Sequence, residues 1–157
     1  MKKLLIALLA FSLCYLSGCY DDAILRQNAD GKELCAEIIQ CIKEADISGI
    51  EALFCEEVSD THDLDAEIEL AFDFIGGEIL SHDIFTIGSG DSTRDGKTVK
   101  SYVIPVIDNI KTDTGNSYTI TFLSYLVLDD NDRMIGINYI TIRNQYDETI
   151  TIGEYLY

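Results

Sequence analysis

DAEIELAFDFIGGEI, residues Asp65 to Ile79, contains a change of period. Leu64, Ile68, Ala71, Phe72 and Ile75 fall on one stripe of a helix, at spacings of three and four. Gly76-Gly77 then stops the helix. Beyond Gly77 the apolar residues recur at about every second position, the period of a strand. Helices therefore precede this junction and strands follow it. Segregation of that kind makes an α+β domain.

Upstream, Asp30 is placed to cap a helix over Gly31–Ala45, with Leu34, Ile38, Cys41 and Ala45 on one face and Cys35, Ile39 and Ile42 beside it. Asp46 or Ser48 caps a second helix that ends near Val58 and turns Ile50, Leu53, Phe54 and Val58 inward. Asp63 or Thr61 caps the third, which ends at Ile75. Downstream, Glu78–Ile87 reads as a first strand and Gly88–Gly96 as a mobile loop. Lys97–Lys111 is a long second strand, and Pro105 inside it demands an edge position or a bulge. Thr112–Asn116 is a hairpin turn, Ser117–Leu128 the third strand, Asp129–Asp132 a turn and Arg133–Arg143 the fourth strand. The tail from Asn144 to Tyr157 holds one short extended piece, TITIG. The expected architecture is three N-terminal helices packed on a curved four-stranded antiparallel sheet.

The other end of the chain carries a different signal. Met1-Lys2-Lys3 is followed by an apolar run from Leu4 to Leu16. As a helix that run spans about 20 Å, too short to cross a bilayer comfortably, so it reads as a secretory leader. Leu16-Ser17-Gly18-Cys19 resembles the lipobox of bacterial lipoproteins. The resemblance implies a diacylglycerol thioether on Cys19, cleavage after Gly18, and an anchor on the outer side of the cell membrane. Two acyl chains hold a protein stably where one is marginal. Tyr20 follows the cysteine, so no aspartate stands there to signal inner-membrane retention. Residues 1–18 are thus expected to be a leader, 19–30 a tether and 31–157 the domain.

With 28 acidic against 11 basic residues, the chain has a formal net charge of −17. The leader removes two lysines and no acid, so the exported part is more acidic still. Nucleic acid and anionic headgroups repel such a surface. Three cysteines, Cys35, Cys41 and Cys55, remain after the leader and the lipid site. An odd number argues against a disulfide framework, and no Cys-x-x-Cys is present. They read as small core residues on helices, with a Cys41–Cys55 disulfide as the alternative. Neither a metal nor a cofactor is implied.

The segments IKEADISGIEALF and DAEIELAFDFIGGEI, followed by long antiparallel strands, resemble the nuclear-transport-factor-two-like superfamily, whose sheet curls into a cone around its helices. More narrowly, IEALF, FDFIGGEI and GIN are similar to small lipoproteins of unknown function from Gram-positive gut bacteria. The likeness covers roughly Glu33 to Arg143. It implies a fold and brings no catalytic residues, because that superfamily holds enzymes, binding modules and transport factors alike.

Candidate chemistry is sparse. Isomerases of the superfamily use an inward aspartate as base and a tyrosine as oxyanion donor. By position Asp108 is the candidate base, with Tyr102 and Tyr125 as hydroxyl donors. The same residues can equally sit on the outer face. Ser81-His82-Asp83 cannot act as a triad on one strand, since neighbours point to opposite faces. His62 lies in a polar loop. Asp129-Asp130-Asn131-Asp132 begins like a calcium loop, but Met134 and Ile140 occupy the positions that need Gly and Glu. Tyr102, Tyr118, Tyr125, Tyr139, Tyr146, Tyr155 and Tyr157 could line a cavity, or serve as half-buried strand formers. The leading reading is a non-enzymatic binding or interaction module. The competing one is an enzyme or ligand carrier that uses the cone as its pocket. The partners in view are the membrane through Cys19, an unidentified small molecule or protein, and a second copy through the sheet face.

Overall fold

Helix α1 (Tyr20–Glu44) opens the computed structural model, which describes residues 20–156. The leader and Cys19 lie outside the described residues. Three short helices follow: α2 (Ile47–Glu51), α3 (Glu56–Ser59) and α4 (Leu64–Ile75). Five strands come next: β1 (Ile79–Arg94), β2 (Lys97–Thr112), β3 (Ser117–Leu128), β4 (Gly136–Asn144) and β5 (Thr149–Gly153). They form one open antiparallel sheet in the order β1-β2-β3-β4-β5. The domain is α+β, with its helices preceding its strands.

Two caps are settled. Asp46 accepts a hydrogen bond from the Gly49 amide at 2.9 Å, and Asp63 accepts one from the Ala66 amide at 3.3 Å. Each satisfies an amide that its helix leaves open. Ile68, Ala71 and Ile75 are buried, as their stripe requires.

The expected architecture needs four corrections. First, α1 runs through residues 20–30, which the sequence leaves as a tether. Gln27 is buried there, and its side-chain amide donates to Asp91 at 2.5 Å and to Ser101 at 3.1 Å. Gly31 lets the helix lie against Pro105, where an added Cβ would come within 3.3 Å of the proline ring. Second, the helix expected to end near Val58 is broken in two. Leu53 and Cys55 exchange backbone hydrogen bonds of 2.9 Å with Ile137, so the chain between the pieces pairs with the start of β4. Third, Gly88–Arg94 is strand, not loop, and Asp95-Gly96 makes a two-residue hairpin with positive φ at both positions. Fourth, TITIG is a full strand paired with β4, which makes the sheet five-stranded.

Pro105 lies in a strand paired on both sides, with a register shift opposite it between Thr86 and Gly88. It is accommodated by a bulge, not by an edge.

The helices pack on one face of the sheet. Their core includes Cys35, Ile38, Val58 and Ile68, and it meets Ile107, Ile110, Ile120, Phe122, Ile140 and Ile152 of the strands. Every element from α1 to β5 except the Asp132–Met134 turn contributes to this single core. A smaller cluster, Leu123, Tyr125 and Met134 with Tyr102, Ile104 and Tyr139 against it, forms beside it. By strand alternation its β2 and β3 side chains project from the opposite face.

Candidate binding site

The strand residues nearest the helices are aliphatic and fully covered. Ile107, Ile110, Ile120, Phe122 and Ile137 have no exposed surface. Side chains of the helices and the sheet pack together there.

Asp108 is not among them. Strand alternation puts it on the face opposite Ile107, where Thr119 Oγ1 donates to its Oδ1 at 2.7 Å. That hydrogen bond, with the Asn109 backbone amide, holds the carboxyl below its ordinary value; Arg143 and Lys111 add to the effect. The surrounding hollow, about 230 Å³, is polar and includes Arg143, Asn144 and Gln145. Much of that polarity is already used. Gln145 accepts from the Ser117 amide at 2.8 Å, and Asn144 accepts from the amides of Tyr146 and Glu148.

Tyr102 and Tyr125 do come together, with ring centroids 6.2 Å apart and edge-to-face. Lys100 Nζ stands 5.7 Å from the first ring and 5.1 Å from the second. Tyr155 leans on Tyr139 at 5.5 Å, and a hollow of about 180 Å³ lies among these side chains. Burial, with Tyr155 alongside, pushes the Tyr139 hydroxyl's pKa up. Asp108 stands six positions along β2 from Tyr102, about 20 Å at the rise of a strand. The structure therefore does not bring the candidate base and its hydroxyl donors into one site. Tyr118 is in the main core and Tyr146 is exposed. Asp83 takes a 2.9 Å hydrogen bond from Asn109 while Ile84 turns to the core, so Ser81-His82-Asp83 is split by the strand.

His62 occupies a half-buried clasp instead of an open loop. Its Nδ1 is 2.9 Å from Glu67, and its Nε2 is 3.8 Å from Glu154. The second oxygen of Glu67 accepts from the Gly153 amide at 2.7 Å. Cys35, Cys41 and Cys55 are free, so the alternative Cys41–Cys55 disulfide is not formed. Burial pushes the Cys35 thiol's pKa up to about 12. Among the described residues no cluster of three or more His, Cys, Asp or Glu could hold a metal, and no helix is long and apolar enough to cross a membrane.

One cleft escaped the sequence reading. It lies between α1 and the ends of β3 and β4 and encloses about 310 Å³, mainly apolar. Leu34, Leu126 and Ile135 line it, with Ser124, Tyr125 and Gly136 beside them. Asp30, Glu33 and Glu37 line its α1 side. Ser124 is 2% exposed, and its hydroxyl has no hydrogen-bond partner among the described residues. Helical spacing places the three carboxylates on one side of α1, yet nothing local reveals that they face β3 and β4.

A protein-family model matches most of the chain. The family described as Domain of unknown function (DUF5104) covers residues 37–150. The chain belongs to that family. No curated protein matches it. The match takes in all five strands up to Ile150 and begins at Glu37, inside α1. Within this DUF5104 chain, the first part of the cleft, Asp30 to Leu34, precedes the matched region.

Proposed function

We propose that the protein is an extracytoplasmic lipoprotein, anchored through a diacylated Cys19, whose nuclear-transport-factor-two-like domain is a non-enzymatic binding module. The long bulged strands over a helical layer support the cone reading, since bulges bend the strands that carry them. The short apolar leader ending in Leu16-Ser17-Gly18-Cys19 supports the anchor.

One observation carries the binding reading: the α1–β3–β4 cleft is open and mainly apolar, with Leu34, Leu126 and Ile135 in its lining. Its volume is at the lower end of small-molecule sites. The competing enzyme would need an acid or base on the helix-covered face. Asp108, the residue singled out for that role, faces the other way and is stabilised as the carboxylate.

The anchor is tested by labelling a lipoprotein-processing bacterium with an alkynyl fatty acid. The wild-type chain takes up label and sediments with membranes. Cys19→Ala takes up none and is released. An unlabelled wild-type chain would sink the anchor. The binding reading is tested by titrating the folded chain with hexanol. Amide shifts confined to Leu34, Tyr125, Leu126 and Ile135 support it, and an unmoved cleft would sink it.

A further inference from the structure

We infer that the α1–β3–β4 cleft selects an organic cation with an apolar body, a protonated amine. The inference rests on the binding-module reading and names its ligand class.

Leu34, Leu126 and Ile135 offer an apolar surface, and Ile135 remains 41% exposed. Burying a ligand's hydrocarbon there is favourable. Asp30, Glu33 and Glu37 add three carboxylates on one side, none with an ion pair or hydrogen bond among the described residues. Elsewhere the protein does answer such a cluster. Arg133 reaches Glu56 at 3.3 Å and Glu57 at 3.5 Å, and it also pairs with Asp60. Among the described residues no lysine or arginine lines the cleft.

Like charges at three- and four-residue spacing on a helix are mutually destabilising. A cation seated among them relieves that repulsion, whereas an anion would add to it. Ser124 gives an independent pointer to a ligand. It is more than nine-tenths buried, lines the cleft and has a hydroxyl without a partner among the described residues. A hydroxyl with no protein partner is open to one from a ligand, and an ammonium N–H can donate to it.

Two other sites compete less well. The hollow around Asp108 has Arg143 in its lining, which would repel a cation. In the tyrosine hollow, Lys100 already lies near two rings and would repel a second cation.

The chain from Tyr20 onward, whose elements share one core, is labelled with ¹⁵N and titrated with hexylammonium, hexanol and hexanoate. Hexylammonium is expected to move the amides of Leu34, Ser124, Tyr125, Leu126 and Ile135. It should bind about fivefold more tightly than hexanol, the upper end for one exposed ion pair, and hexanoate should bind most weakly. The double variant Glu33→Gln, Glu37→Gln should erase the ammonium's advantage and leave hexanol binding unchanged. These positions are exposed, so the variant's spectrum elsewhere should match the wild type and confirm its fold. Raising salt from about 50 mM to about 500 mM should narrow the advantage too. Equal binding of hexylammonium and hexanol would overturn the cation preference and leave the binding module standing. Failure of all three ligands to move the cleft would overturn both. Shifts in the same amides on concentrating the protein alone would assign the cleft to a second copy, again against the proposal.

Discussion

Thr119 Oγ1 donates to Asp108 Oδ1 at 2.7 Å between β2 and β3, on the face away from the helices. The bond favours the ionised carboxyl, so the folded pKa lies below the unfolded one. Its stabilising contribution is therefore fully present above the unfolded value, about 3.9. It is lost as pH falls through the lower folded value. Thr119→Val removes the donor and keeps the shape. Carbon-detected titration should show the Asp108 carboxyl moving up in that variant, with a smaller acid-side loss of stability. An unchanged Asp108 titration would remove the hydrogen bond as the cause.

The same strand shows how far the sequence could be read. Period-two alternation makes Ile107 and Asp108 face oppositely, and only the burial of Ile107 decides which of them meets the helices. The stripe Leu64–Ile75 was legible because its apolar spacing, Asp63 cap and Gly76-Gly77 stop all agree. Residues 88–94 misled because Gly88-Ser89-Gly90 has loop composition. In the fold the Tyr102 ring lies over Gly90, where an added Cβ would approach within 2.7 Å. The start of α1 was hidden because Asp30-Gly31 has the look of a cap and a helix breaker. The burial of Gln27 and the contact of Gly31 with Pro105 outweigh local propensity. The cleft could not be read at all. Asp30, Glu33 and Glu37 are an ordinary wet helix face until tertiary packing sets them across from Leu126 and Ile135.

Gly153 should be among the least replaceable residues. Its φ is +71°, and an added Cβ would meet Asn138 O at 2.5 Å, Phe54 at 2.9 Å and Val58 at 3.0 Å. Backbone cannot withdraw as a flexible side chain can. Gly96 has a similar φ, +77°, but nothing within 4 Å. Gly96→Ala should therefore cost only the turn strain, about 1 kcal/mol. Gly153→Ala should cost about 3 kcal/mol or more. Urea denaturation of the two variants checks the contrast, and equal losses would refute the clash.

The thiols should differ in native reactivity. Cys35 has no exposed surface and a pKa pushed up to about 12. Cys41 is partly exposed, and its pKa is raised by burial and then by Asp46, Glu37 and Glu44. The thiolate is the reacting species. At neutral pH iodoacetamide should modify Cys41 slowly and leave Cys35 unmodified, while unfolding should expose both. Mass mapping after timed quenching measures this, and rapid native labelling of Cys35 would contradict its burial.

Glu67 fastens the last strand to α4 through both oxygens, one toward His62 and the other accepting from Gly153. The clasp holds the terminus of a five-residue edge strand that pairs only with β4. Short terminal strands are among the first elements to open locally. Glu67→Ala removes both contacts and should lower global stability by about 1–3 kcal/mol, the range for a charged hydrogen-bond acceptor. Glu67→Gln retains one oxygen for the Gly153 amide and should lose less. Amide exchange at Ile150 and Ile152 provides the sharper readout. Protection there should fall in Glu67→Ala by more than it falls at Ile120 or Phe122 in the sheet centre. A uniform fall across the sheet would mean that Glu67 acts on global stability alone and that the clasp does not specifically hold β5.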